Sequence, residues 1–139
     1  MASNESKRIA HDYLERVIGA GDLAALDELV AEDVVLHGGS GRAFAGREAL
    51  REVLSQMALG VRRTSLDVAC ELAEGDTAVS LYTVRGVHLG EYYGVPATGR
   101  TLTTTAVNVT RVERSTIAEI HVFMDASELV RQLTAPDNA

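Results

Sequence analysis

Residues 82–100 read YTVRGVHLGEYYGVPATGR and carry the strongest structural signal in the chain. Successive residues of a β-strand point to opposite faces of a sheet, and the first part of the stretch alternates in this way, with Tyr82 and His88 on one face. The second part is rich in glycine and contains Pro96, which is typical of a loop. Another alternating segment, Thr101–Val112, follows at once. The stretch therefore predicts two long antiparallel strands joined by a loop.

The same alternation continues on both sides of this hairpin, and helical periodicity precedes it. Alternating patterns predict four long strands, at Arg62–Leu72, Thr77–Leu89, Thr101–Val112 and Ile117–Asp125. Apolar residues that recur every three or four positions predict helices. These are a first helix capped by Ser3 or Asn4 and ended by Gly19, a second from Asp22 to Val30, a third at Arg47–Leu59 and a last at Ser127–Leu133, with a short strand at Val34–His37.

Helices followed by long antiparallel strands indicate the α+β class. Strands of about eleven to thirteen residues are longer than the usual five or six, so the sheet should curl strongly. We therefore expect a cone-shaped α+β barrel, in which the N-terminal helices lie over the concave face of a curled antiparallel sheet and enclose a pocket. The length of 139 residues, without a repeat or a linker, predicts a single domain over residues 1–139.

Composition limits the possible partners. The formal net charge is −7 and no stretch collects Lys or Arg, so neither nucleic acid nor an anionic membrane is an expected partner. No segment approaches the roughly 18 apolar residues of a membrane span, and the polar first residues do not resemble a signal peptide, so we expect a cytoplasmic protein. Cys70 is the only cysteine. It falls in an alternating strand pattern, which predicts a buried, inert thiol.

The hairpin resembles the signature of the SnoaL-like polyketide cyclase (ester cyclase) family. The shared features of residues 82–100 are an aromatic residue, Thr-Val-Arg-Gly, a His, Gly-Glu, and Gly-Val-Pro-x-Thr-Gly-Arg. Further resemblance follows in family order in AEDVVLH (31–37), FAGREAL (44–50), and IAEIHVFMD (117–125) with LVRQL (129–133). The resemblance covers nearly the whole chain.

The resemblance implies a fold of the nuclear transport factor 2 and ketosteroid isomerase type. It also implies a homodimer that pairs across the outer face of the sheet. The implied chemistry needs neither cofactor nor metal and acts on hydrophobic polyketide-like substrates, with a ring-closing aldol condensation as the best-known reaction. Function still has to be argued from the site, because one fold hosts many activities.

The family's catalytic pair is the point at which this sequence departs from the pattern. The resemblance places the family's Asp at Val122 and its helper His at Asn108, so both ionisable groups are replaced. With Val122 in the cavity, His121 points outward. A shift of one residue in register would turn His121 inward instead, because the two faces of a strand alternate.

Four residues are candidate catalytic groups, and each has a structural alternative. His121 can act as base or acid, because imidazole titrates near neutral pH. Asp125 directly precedes the last helix, where it can instead cap the helix N-terminus. His88 can line the pocket or fix the hairpin by a hydrogen bond. Asn108 can orient a carbonyl or hold an oxyanion, or it can be a satisfied polar residue of the core.

Seven further residues are predicted to bind the substrate: Tyr13, His37, Met57, Tyr82, Val84, Val122 and Met124. The four histidines lack a carboxylate at ligand spacing, so no metal site is predicted, and no cofactor motif is present.

Three functions are therefore considered. The first is a cofactor-free enzyme of secondary metabolism that cyclises or isomerises a hydrophobic polyketide-like intermediate, by acid–base catalysis or by folding a reactive substrate. The second is a non-catalytic module that binds a small molecule or forms a dimeric scaffold. The third is an epoxide-opening hydrolase, which would need an Asp-Arg-Asp arrangement in the pocket.

Overall fold

The computed structural model describes residues 2–38 and 41–136 and shows helices packed on one face of a six-stranded sheet. Its elements in chain order are helix α1 (Ala2–Asp12), continued by a π-helical segment (Tyr13–Gly19), a 3-10 turn (Leu23–Ala25), helix α2 (Leu26–Leu29), strands β1 (Val30–His37) and β2 (Ala43–Ala45), helix α3 (Arg47–Gly60), strands β3 (Val61–Glu74), β4 (Thr77–His88), β5 (Thr101–Glu113) and β6 (Thr116–Met124), and helix α4 (Ala126–Thr134). None of the described helices is long and apolar enough to cross a bilayer.

The sheet has the order β2-β1-β6-β5-β4-β3, and its neighbours are antiparallel except for the parallel pair β1 and β6. The predicted α+β class, with helices over the concave face of the sheet, is confirmed. The main core lies between the helices and the inner sheet face, where Leu14 and Leu26 pack with Ile117 and Ile120. All four side chains are at most 1 % exposed. Burial of apolar area of this kind is the main stabilising term of the fold.

The predicted second helix is too long. Helix α2 ends at Leu29, and Val30 already has extended dihedral angles and pairs with Ile117 of β6. Val30 is completely buried and β-branched, and such a residue packs better on a sheet than in a short helix. Strand β1 consequently starts four residues before the predicted Val34.

Strand β3 departs from simple alternation at two β-bulges, between Arg63 and Ser65 and between Val68 and Cys70. Each bulge adds one residue to β3 and so reverses which face the following side chains occupy. Cys70 therefore lies on the outer face and is exposed. The prediction of a buried Cys70 is wrong for this reason.

Gly86 lets strand β3 approach β4 closely. A Cβ atom at Gly86 would lie 2.4 Å from Cγ1 of Val61 and 2.9 Å from the carbonyl oxygen of Arg62. Both distances are shorter than van der Waals contact. Strand β3 therefore occupies the place that a side chain at position 86 would need.

Candidate functional site

A cavity of about 420 Å³ lies between the inner face of the sheet and the helices. Pockets for small organic molecules fall in this range of volume. Its walls are mostly apolar, and they come from every strand, from the π-helical segment, from α3 and α4, and from the loop after β4. The cavity therefore suits a hydrophobic ligand.

Seven of the eleven predicted site residues line this cavity: Tyr13, Met57, Tyr82, Val84, Asn108, Val122 and Met124. The register of the last two strands explains the arrangement. Asn108 of β5 stands directly opposite Val122 of β6, and both side chains face inward. His121 therefore lies on the other face of β6.

Asn108 forms the polar centre of the cavity. The Tyr82 hydroxyl donates a hydrogen bond of 2.8 Å to Oδ1 of Asn108, and the two side chains are 5 % and 2 % exposed. Among the described residues neither Nδ2 of Asn108 nor the Tyr13 hydroxyl has a hydrogen-bond partner. Both groups are donors on the cavity wall and remain available to a ligand oxygen.

Burial favours the neutral form of the tyrosines that line the cavity, and it does so most strongly for three of the four. It raises the pKa of Tyr13 and of Tyr82 well above the ordinary value, and that of Tyr92 to about 12, with the nearby Arg63 guanidinium opposing the rise in each case. All three hydroxyls are therefore protonated at neutral pH and can donate hydrogen bonds.

Two arginines on the cavity wall were not predicted from the sequence. Arg63 reaches the cavity from β3, and Arg42 lies nearby, with its guanidinium 5.7 Å from the centre of the Phe44 ring. The lining contains no Asp, Glu or His among the described residues. Because a β-bulge follows Arg63, strict alternation along β3 does not predict which face of the sheet its side chain occupies. The glycine opposite, Gly86, was the one available signal of an unusual site at this point of the strand.

His121, a candidate catalytic residue, and His37, a predicted substrate-binding residue, lie outside the cavity; for His121 this is the outward position expected when Val122 lines the cavity. Their rings stack on the outer sheet face, with centroids 4.0 Å apart and planes inclined by 5°. His37 Nε2 lies 2.8 Å from a carboxylate oxygen of Glu119, which also approaches Arg111 at 3.5 Å. The hydrogen bond from His37 lowers the pKa of Glu119. The physical reason for the outward position is strand alternation, since Leu36 and Val122 take the inward positions.

The side chains of His37, Glu119 and His121 hold potential metal-ligating atoms within 4.8 Å of one another. A metal ion lies in the plane of each imidazole that binds it, because the nitrogen lone pair lies in that plane. Two parallel, stacked rings do not share such a point. The carboxylate of Glu119 also forms an ion pair with Arg111. The geometry therefore favours an ion-pair network over a metal centre.

The other two candidate catalytic residues have structural partners and do not line the cavity. Asp125 caps α4: its Oδ1 accepts hydrogen bonds from the Glu128 backbone at 3.0 Å and from the Ser127 hydroxyl at 2.6 Å, and these bonds lower its pKa. His88 is completely buried, and its Nδ1 accepts a hydrogen bond from the Thr98 backbone at 3.2 Å, across the loop after β4. Both side chains fix ends of secondary structure.

Comparisons with known proteins agree with this fold. The sequence profile of the SnoaL-like polyketide cyclase family matches residues 8–133. A candidate SnoaL-like polyketide cyclase from Jannaschia sp. CCS1 superposes with a TM-score of 0.90 and 20% identity, over 98% of this chain and 96% of that one. IdmH, a candidate polyketide cyclase from Streptomyces antibioticus, gives 0.79 and 28%, over 92% and 97%. An LEH-like epoxide hydrolase from M. tuberculosis gives 0.75 and 14%, over 94% and 90%. None of the curated proteins compared with the chain matches it in sequence.

Proposed function

The chain belongs to the SnoaL-like polyketide cyclase family, and on this premise we propose that it is a cofactor-free enzyme of secondary metabolism. In this proposal the cavity binds a hydrophobic polyketide-like intermediate and promotes its cyclisation or isomerisation. One observation carries the proposal: an apolar cavity of about 420 Å³ has the free hydrogen-bond donors of Asn108 and Tyr13 on its wall.

The donors support a role in stabilising negative charge on oxygen. When a proton leaves the carbon next to a carbonyl group, charge develops on the carbonyl oxygen. In this proposal the amide of Asn108 and the hydroxyl of Tyr13, both on the cavity wall, donate to that oxygen, and the hydrogen bond from Tyr82 orients the amide. One well-placed donor of this kind contributes about 10²-fold or more to a rate.

The base differs from the one that the family resemblance implies. The described lining of the cavity contains no carboxylate and no imidazole. In our proposal the carbon between two carbonyl groups of the substrate loses its acidic proton to water or to another oxygen of the substrate. The walls of the cavity meanwhile hold the substrate folded, so that the reacting carbons lie close together. Proximity and orientation alone can contribute several kcal/mol to lowering a barrier.

The two alternatives make different demands on the cavity. An epoxide hydrolase of the Asp-Arg-Asp kind needs two carboxylates beside its arginine, and the described lining offers Arg63 without either. A binding module without turnover fits the apolar walls equally well. It would also pair the free donors of the wall with its ligand, so a measurement of turnover separates it from an enzyme.

The test combines a substrate panel with a matched pair of variants. Linear poly-β-ketone thioester analogues are incubated with the protein, and ring closure is followed by mass spectrometry and ultraviolet absorption. Ala106 lines the cavity, whereas its neighbour Thr105 is exposed on the opposite face. We expect Ala106→Phe to abolish product formation and Thr105→Phe to preserve it.

Three other outcomes have a definite meaning. Equal turnover by both variants would place the reaction outside the cavity and contradict the proposal. Binding of the analogues without any product from the native protein would favour the binding module. Asn108→Leu should lower the rate constant by about 10²-fold while the analogue still binds, because its apolar contacts remain.

We also propose that a second copy of the chain covers the outer sheet face. Three large apolar side chains are exposed on strands β3, β4 and β6, Leu72 at 65%, Leu81 at 38% and Phe123 at 57%. Exposed apolar patches of this kind often mark protein interfaces. Phe123→Glu should convert a dimer into a monomer in light scattering. A native protein that is already monomeric at micromolar concentration would contradict the proposal.

The cytoplasmic location remains a prediction from the sequence.

A further inference from the structure

The Arg63 guanidinium is a charged group on the cavity wall that the proposed mechanism leaves unused. The described residues offer it neither a hydrogen bond nor an ion pair. Two other strand arginines are paired, since Arg85 lies 3.2 Å from a carboxylate oxygen of Asp67 and Arg111 lies 2.9 Å from one of Glu113. Arg62 also has no such partner among the described residues, but it is exposed to solvent. Arg63 therefore lies on a strand, lines the cavity, and has no counter-charge among the described residues.

The surroundings of Arg63 make this imbalance costly. Its side chain is half-buried against a largely apolar wall, and the residue opposite it on β4 is Gly86, which provides no side chain. Its field reaches the hydroxyls of Tyr13, Tyr82 and Tyr92 and opposes the effect of burial on them. An unpaired charge in partly apolar surroundings costs stability unless a counter-charge arrives. The molecule that enters the cavity is the available source.

We propose that Arg63 binds an anionic oxygen of the ligand, so that the substrate is a hydrophobic molecule bearing a carboxylate or an enolate. This proposal rests on the proposed function only in that the cavity must be the ligand site. Guanidinium groups bind two oxygens of a planar anion through parallel N–H donors, which neutral donors do not match in strength.

The lining favours an anion over a cation or a neutral ligand. Its groups that are charged at neutral pH are Arg63 and Arg42, both positive, in a protein whose formal net charge is −7. The neutral polar groups of Tyr13 and Asn108 add donors to the same space. A carboxylate would be held by Arg63 as a fixed anchor. An enolate would be stabilised by Arg63 as it forms.

A pair of fluorescent probes of nearly the same shape tests this proposal. Anilinonaphthalene sulfonate carries a fixed negative charge, and N-phenylnaphthylamine is the same ring system without it. We expect Arg63→Met to weaken binding of the sulfonate by about tenfold or more, the usual effect of losing a charge-assisted hydrogen bond, and to change binding of the neutral probe by less than about threefold. Arg63→Gln serves as a second neutral variant, and Arg63→Lys should restore part of the preference.

The neighbouring Arg62 supplies the matched control. It is exposed and sits one position away on β3. Arg62→Met removes the same charge from the protein and should leave the affinities for both probes unchanged. Ala106→Phe fills the cavity and should remove both probes, which shows that they bind inside rather than on the apolar outer face.

The outcomes separate this proposal from the proposed function. If the neutral probe binds in the cavity and Arg63→Met affects both probes equally or neither, the role of Arg63 is wrong while the cavity remains a ligand site. If neither probe binds the native protein, both proposals are wrong.

A third ligand distinguishes the two sources of negative charge. Naphthol is neutral or anionic according to pH, and its absorption spectrum reports which form is bound. If Arg63 stabilises an enolate, the pKa of bound naphthol should be about one unit lower in the native protein than in Arg63→Met, which corresponds to a tenfold preference for the anion. If the pKa of bound naphthol is the same in both proteins while the native protein still prefers the sulfonate probe, the enolate is ruled out and the carboxylate remains.

Discussion

Removal of one hydroxyl group, by Tyr82→Phe, tests the polar centre of the cavity. The Tyr82 hydroxyl donates to Oδ1 of Asn108 over 2.8 Å, and both side chains are buried. The substitution keeps the ring and its packing, so it creates almost no void. Its main effect is to leave the Asn108 carbonyl oxygen without its donor.

The expected magnitude follows from the position of Asn108. A buried acceptor that loses its partner costs about 1–3 kcal/mol of stability. Asn108 also lines the cavity, so water inside it can replace part of the lost bond. We therefore expect the lower end, about 1–1.5 kcal/mol. For a chain of 139 residues this corresponds to a fall in Tm of roughly 3–6 °C.

Urea unfolding of four proteins measures the coupling between the two side chains. These are the native protein, Tyr82→Phe, Asn108→Leu and the double variant. Replacing both hydrogen-bonding partners by apolar groups leaves no orphaned polar atom, so the double variant should be more stable than the sum of the single losses predicts. We expect a coupling energy of about 1 kcal/mol. In a turnover assay, Tyr82→Phe should also lower the rate about tenfold, because Asn108 loses its orientation.

Strictly additive losses in the cycle would refute this reasoning. So would a Tyr82→Phe protein that matches native stability, because the bond would then contribute nothing. A coupling energy of about 1 kcal/mol together with unchanged turnover of Tyr82→Phe would separate the structural role of the hydrogen bond from its role in the reaction. The hydrogen bond would be structural, and Asn108 would not need it to act on the ligand.

Two further predictions concern the frame of the site. Gly86→Ala should lower the unfolding free energy by about 1–3 kcal/mol in urea unfolding, because its Cβ atom would overlap Val61 and the backbone of Arg62. Gly38→Ala is the control and should cost much less, because its Cβ atom would lie 3.5 Å from the nearest atom. Equal losses of stability would contradict the close packing of β3 on β4. Asp125→Asn should lower stability at neutral pH, because the pKa of Asp125 is lowered by its bonds to Ser127 and Glu128 and the ionised form is therefore favoured in the folded state. A carboxyl group whose pKa is lowered by folding stabilises the protein above its unfolded pKa, and this stabilisation is lost as the pH falls through the folded pKa. The difference in unfolding free energy between the native protein and Asp125→Asn should therefore disappear in acid. A difference that grows in acid would contradict the capping role.

The inner faces of the last three strands could be predicted because their alternation is unbroken where they line the cavity. Tyr82, Val84, Asn108, Val122 and Met124 occupy every second position of their strands, and all five reach the cavity. In β5 and β6 the register shift lies at Arg111 and Val112, away from these residues. Two-residue periodicity is sufficient information for such segments.

Strand β3 shows why the rest of the site was not predictable. Its two bulges change which face the following side chains occupy, so that Arg63 lines the cavity, Val68 packs against the core and Cys70 faces outward. A bulge depends on how two strands fit together, and the sequence of one strand carries little trace of it. The histidines were misplaced for another reason. His37 and His121 were candidates because of what imidazole can do, whereas strand geometry put both on the outer face.

The valine at position 122 bears on the proposed role of Arg63. Position 122 is where the family resemblance places a catalytic Asp, and Val122 and Arg63 line the same cavity. A carboxylate on this wall would be attracted to the arginine and would compete with any anionic ligand for it. With valine there, the positive charge is left to the ligand. If Arg63 binds an anionic ligand oxygen as proposed, an uncharged residue at position 122 leaves the preference for an anion unopposed by the protein.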